Sequence, residues 1–161
     1  MKKINFILSI FILSQLGFSL PLKAQSRCQA TINSIVNEIE SKGVRRVILT
    51  KGTVTNRRNP TNRTNEISFV LSPYNESYTS LDTRSDRIVD NIMRSPVLMK
   101  SYADRIVSNC QDIAVVAFVA GGSDWRIEFA IQSDGKTQER TECIQPDDPL
   151  TPNWNQMSSC H

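Results

Sequence analysis

The stretch Ser95–Val119, SPVLMKSYADRIVSNCQDIAVVAFV, joins a capped amphipathic segment to an uninterrupted apolar run through a single cysteine. Ser95 suits an N-cap, because a side-chain oxygen there accepts from an unpaired amide of the first helical turn. Pro96 suits the first helical position, where a missing N–H costs nothing. Leu98, Tyr102, Ile106 and Cys110 recur every fourth residue with Met99, Ala103 and Val107 beside them, which makes one broad apolar stripe. Lys100, Ser101, Asp104, Arg105 and Ser108 fall on the wetter side. After Gln111-Asp112, the run Ile113–Val119 has strand length and no alternation, as expected of a central strand with little water on either face.

Working outward, Cys28–Lys42 reads as a first helix. Cys28, Ile32, Ile35, Val36 and Ile39 keep helical spacing, and Gly43 is a natural stop. Val44–Thr50 is rich in β-branched residues and reads as a strand. Lys51–Glu66, KGTVTNRRNPTNRTNE, lacks a core-forming pattern and reads as a long hairpin loop with a short extension at Val54. Ile67–Ser72 is the returning strand, and Arg84–Arg94 is a short helix carrying Ile88, Ile92 and Met93. Beyond Gly121-Gly122, the residues Trp125, Ile127, Phe129 and Ile131 alternate with polar ones, which predicts a strand with one buried face. Ser133–Lys136 is an Asp-Gly type turn, followed by a polar edge strand over Thr137–Cys143. The tail carries Pro146, Pro149 and Pro152 and reads as irregular, with Trp154 as a pin and Trp125 as an anchor in the core.

The element order α-β-β-α-α-β-β-β, with wet faces on several strands, predicts an α+β two-layer domain. About five strands form a mostly antiparallel sheet covered by helices on one face. Residues 25–143 form that single domain, and 144–161 the Pro-containing tail.

Residues 1–24 read as a secretory signal: Met1-Lys2-Lys3, an apolar stretch Ile4–Leu20, and cleavage after Ala24. An uncleaved membrane anchor is the alternative, and only that would imply a membrane partner. The expected location is periplasmic or secreted. Nineteen Lys and Arg face sixteen Asp and Glu. Lys2, Lys3 and Lys23 belong to the signal, so the exported part is neutral overall and no nucleic-acid partner is expected. Cys28, Cys110, Cys143 and Cys160 all lie beyond residue 24, and an even count in an exported chain reads as two disulfides. If the middle helices make one return pass across the sheet, Cys110 lands beside Cys28 and leaves Cys143 to Cys160. If they form a tight hairpin, Cys110 lands beside Cys143 instead. The first arrangement is preferred.

The residues Ile92-Met93-Arg94-Ser95-Pro96, Leu98-Met99, Tyr102-Ala103, Ile106 and Cys110, followed by Trp125 and Cys143, resemble a group of small exported cyanobacterial proteins. That group has no assigned activity. The resemblance implies an exported bacterial protein and carries over no catalytic residue.

Chemistry is narrowed by composition. The one histidine is the terminal His161, and no nucleophile-elbow, zinc-protease or phosphate-loop motif is present. No metal site or cofactor is expected. Paired carboxylates are the remaining enzymatic route: Asp124 and Glu128 on one strand, with Glu139 or Glu142 approaching from the next. The plain alternative is a solvated charge ladder. The sharper signal is basic. Lys42, Arg45, Arg46, Lys51, Arg57, Arg58 and Arg63 occur within residues 41–65 with no acid among them. Arg57, Arg58 and Arg63 are the candidate ligand-binding residues, suited to phosphate, sulfate or a carboxylated polysaccharide. The expectation is therefore a non-catalytic binding or accessory protein that holds an anion on this loop. A carboxylate-dependent hydrolase on the open sheet face is the alternative.

Overall fold

The computed structural model describes residues 20–56, 58–74, 80–143 and 153–157. Arg57 and the expected Cys143–Cys160 bridge lie outside the described residues.

Helix α1 spans Leu20–Ser41 and presents Ile32, Ile35 and Ile39 to the core. It starts earlier than Cys28 and runs unbroken through the expected cleavage position. Gly43 ends it at φ 107°, where a Cβ would stand 2.6 Å from Ile88 Cδ1, so both conformation and space demand glycine. Strand β1 (Arg46–Thr53) pairs antiparallel with β2 (Asn65–Ser72), and Val54 N–H donating to the Thr64 carbonyl continues the hairpin. Helices α2 (Thr83–Met93) and α3 (Pro96–Asn109) follow. The side-chain cap belongs to α2, where Asp82 accepts from the amides of Arg84 and Ser85. Ser95 occupies the N-cap position of α3 with Pro96 after it, but its hydroxyl makes no capping bond; its carbonyl accepts from Met99.

Strand β3 (Ile113–Ala120) lies at the centre of a five-stranded sheet ordered β1-β2-β3-β4-β5, with β4 at Arg126–Ile131 and β5 at Thr137–Glu139. The β2–β3 pair is parallel and the other three are antiparallel, because α2 and α3 together carry the chain back across the sheet before β3 begins. That single return pass brings Cys110 to Cys28, and the two are bonded. The fold is the expected α+β arrangement with its helices over one face.

The helical layer seals the inner face. Phe118 on β3 stacks on Phe69 at 5.5 Å and meets Phe129 edge-on at 6.2 Å, while Met99, Ile106 and Val107 of α3 are buried in the same cluster. Arg105 of α3 grips both carboxylate oxygens of Glu38 on α1, at 2.7 and 2.8 Å. Asp104 accepts from the amide and hydroxyl of Thr137 at the start of β5. The polar segment after β5 does not continue as one edge strand. It breaks at Arg140, and β6 (Glu142–Cys143) pairs in parallel with β7 (Gln156–Met157) as a separate ribbon. The described piece of the tail is thus ordered onto the domain. Trp154 is buried and donates from Nε1 to the Ile131 carbonyl at 2.6 Å. Trp125, expected as a core anchor, is only half-buried beneath the Arg94 guanidinium.

Candidate functional site

The described residues form two charged regions and one groove. The first is the basic hairpin end. Its turn is organised by its own amides: Asn59 Nδ2 donates to the Arg63 carbonyl, and Asn59 Oδ1 accepts from the amide and hydroxyl of Thr61. The Arg58 amide donates to Asn56 Oδ1. Short polar side chains that bond their own backbone are why this Asn- and Thr-rich sequence holds a shape without apolar packing.

The three arginines expected to act together are not equivalent. Arg63 is drawn inward, and its Nη1 donates to the carbonyls of Val107 (2.6 Å), Cys110 (3.1 Å) and Ile113 (3.2 Å). The Val107 carbonyl lies in the last turn of α3, where helical partners run out, Cys110 is its C-cap, and Ile113 opens β3. Burial lowers the Arg63 pKa, against an opposing pull from Asp112. Arg58 is exposed and donates to Asn153 Oδ1 in the tail. Arg63 therefore anchors the hairpin, while Arg58 and the exposed Lys51 remain on its surface.

The second region is the sheet face away from the helices. Arg126 of β4 donates from Nε to Glu128 at 2.6 Å and from Nη2 to Glu66 of β2 at 2.5 Å. Arg140 donates from Nη1 to the other Glu128 oxygen at 2.9 Å, and from Nε to the Trp154 carbonyl. Its guanidinium lies over the Trp154 ring at 4.7 Å. Arg126 reaches from β4 to β2 across Ala117 of β3, which is wholly buried and sits in register between Ser68 and Glu128. A larger residue at 117 would stand in that path. Burial pulls the Arg126 pKa down, but its bonds to Glu128 and Glu66 outweigh it and leave it raised.

This face differs from a solvated ladder. Glu128 is buried, at 9% exposure. Its acidic companion is Glu66, which the sequence places at the end of a loop, whereas Asp124 lies in the exposed turn before β4. Glu139 pairs with Phe129 and so shares the helix-side face, and Glu142 belongs to the separate ribbon. Sequence reading missed Glu66 because its partners come from β4, two strands away. The one available signal was Glu66 and Ser68, two polar residues alternating with Ile67 and Phe69. As arranged, both carboxylates serve as acceptors for guanidinium groups.

The groove opens at the end of the sheet beside the disulfide. It encloses about 530 Å³ and is lined by Gln25, Cys28 and Gln29 of α1, by Lys51–Thr53 of β1, and by Asn65 and Asp112. Asn65 Nδ2 donates to Asp112 Oδ2 at 2.8 Å, which occupies part of that acid. The lining thus mixes amides with the apolar Ile32, Ile67 and Ile113, the acids Glu66 and Asp112, and Lys51.

Among the described residues no group of three or more His, Cys, Asp or Glu gathers as a metal site, and no helix is long and apolar enough to cross a membrane. No protein-family model matches the chain, and neither a curated protein nor a solved structure is significantly similar to it.

Proposed function

We propose that the protein is a small exported binding or accessory protein, without catalysis of its own, that holds an anionic ligand on the basic β1–β2 hairpin. One observation carries the reading: the hairpin is bolted to the end of α3 by Arg63, so Lys51 and Arg58 stand exposed on a braced platform. A long polar linker would need no such anchor. Pre-positioned cations lose less freedom when an anion binds. Export is supported by the basic and apolar start of the sequence and by the Cys28–Cys110 bond, which belongs to an oxidising compartment such as the periplasm.

The test is retention on heparin and on immobilised phosphate. The wild type is compared with a Lys51→Ala/Arg58→Ala double variant, and Arg63 is left intact because its loss would disturb the fold. The variant is expected to elute at clearly lower salt. Equal elution from both matrices refutes the proposal. N-terminal sequencing of the periplasmic or secreted product, expected to begin at Gln25, tests the export reading separately.

A further inference from the structure

We infer that the anionic ligand is an extended acidic polypeptide segment that adds to the sheet as a new strand along the outer edge of β1. This rests on the proposal that the basic hairpin takes anions and adds what kind of anion it takes.

The geometry starts from alternation. In an antiparallel pair, successive residues turn their N–H and C=O groups toward the partner strand and then away from it. Val54 donates across to Thr64, so even-numbered residues of this hairpin face β2. Val47 points the other way, and its amide donates to Glu40 Oε1 at the end of α1 at 3.1 Å. Leu49, Lys51 and Thr53 share the outward phase of Val47. All three are exposed, and β1 has no strand on that side among the described residues. Glu40 thus closes the first position of the edge, and the part from Leu49 to Thr53 is open.

Edge strands are usually guarded against uncontrolled pairing, and cationic side chains are one such guard. Here the guard also selects. Arg45 and Arg46 precede the open stretch, Lys51 lies within it, and Leu49 keeps 37% of its surface exposed. A second copy of the chain is disfavoured, because antiparallel self-pairing about Leu49 sets Lys51 of one copy opposite Val47 of the other, with Arg45 as its diagonal neighbour on the same face. A strand with apolar residues flanked by Asp or Glu meets the opposite condition, with backbone hydrogen bonds supplying affinity and carboxylates supplying register. The groove adjoins the same edge, since Lys51, Gly52 and Thr53 form one of its walls. Alternate side chains of an added strand would point toward that cavity, where Gln25 and Gln29 offer amide groups.

The experiment uses the full chain and a fluorescein-labelled peptide of alternating Glu and Val, followed by anisotropy at low and high salt. A Lys/Val peptide and a Glu/Val peptide N-methylated at alternate amides serve as controls. The acidic peptide is expected to bind in a salt-sensitive way, and the N-methylated control about tenfold more weakly, as loss of two backbone hydrogen bonds implies. The Lys/Val control is expected to bind more weakly through like-charge repulsion with Arg45, Arg46 and Lys51. Amide exchange at Leu49, Lys51 and Thr53 is expected to slow on binding. Leu49→Pro, which removes an outward amide at an edge position that tolerates proline, should weaken the peptide and leave heparin retention unchanged. Should that variant fold poorly, the N-methylated peptide tests the same bond on the wild type. Equal binding of the N-methylated peptide, or no protection along β1, overturns strand addition while heparin retention still supports anion binding. Self-association with protection of β1 and no peptide present would make a second copy the occupant and overturn the inference. Loss of both heparin and peptide binding would bring down the proposed function as well.

Discussion

Replacing Arg63 by alanine separates architecture from ligand binding within the basic hairpin. Its Nη1 approaches three main-chain carbonyls where α3 turns into β3, those of Val107, Cys110 and Ile113, whose residues are all buried. One nitrogen carries two hydrogens, so two bonds at full strength is the upper limit. A hydrogen bond to a charged donor contributes about 1.5–3 kcal/mol, and a cation at a helix C-terminus adds up to about 2. Water entering the vacated space recovers part of this. The expected loss for Arg63→Ala is about 3 kcal/mol, or roughly 6–12 °C in Tm for a domain of this size. Urea unfolding with the disulfide intact, followed by circular dichroism, measures it. The partners are neutral carbonyls, so high salt should leave the loss nearly intact, whereas salt should erase retention on heparin. Arg63→Lys should recover part of the stability. A loss below about 0.5 kcal/mol, or one that vanishes in salt, refutes the capping role.

Three further outcomes follow from the packing. Breaking the Cys28–Cys110 bond, which spans 82 residues of sequence, should cost about 4–5 kcal/mol on the chain-entropy estimate, read as a drop in urea midpoint for a Cys28→Ala/Cys110→Ala variant; an unchanged midpoint would refute it. Ala117→Leu should cost about 1–3 kcal/mol by crowding the path from Arg126 to Glu66, whereas Ser133→Leu at an exposed position should be neutral, and thermal melts compare the two. Acid should destabilise the fold. Arg105 holds Glu38 below its ordinary 4.5, and bonds from Lys100 and Thr137 outweigh burial to hold Asp104 below 3.8. Groups depressed in the folded state stabilise it above their unfolded pKa and lose that contribution as pH falls through the folded value. The urea midpoint should therefore fall below about pH 4, and Asp104→Asn should flatten that fall; a variant with the wild-type pH dependence would exclude Asp104 from it.

The helices, the strands and the sulfur bridge were legible because each rests on local periodicity or on chain direction. The spacing of Met99, Tyr102, Ala103, Ile106 and Val107 declares a buried stripe wherever that helix packs, and all five are buried. The strand run from Ile113 could only be central, since no face of it is polar. Counting passes up and down the sheet narrowed Cys110 to two neighbours, Cys28 for a single return pass and Cys143 for a tight hairpin, and the structure has the first. The parallel β2–β3 pair became visible only with that pass in place.

The charged sites were not legible in the same way. Arg57, Arg58 and Arg63 look alike in a row of polar residues, yet Arg63 turns inward because the turn from α3 into β3 comes to rest beneath it and offers the carbonyls of Val107, Cys110 and Ile113. Glu66 joins Arg126 only because β3 lies between their strands with alanine at the crossing point. Trp154 is buried because Arg140 and the Ile131 carbonyl receive it on the face that the helices leave open. Periodicity along the chain encodes which side of an element is apolar, a property each segment carries alone. Partners for charges and orphan carbonyls depend on strand order and register, which are decided when the layers close and distant residues become neighbours.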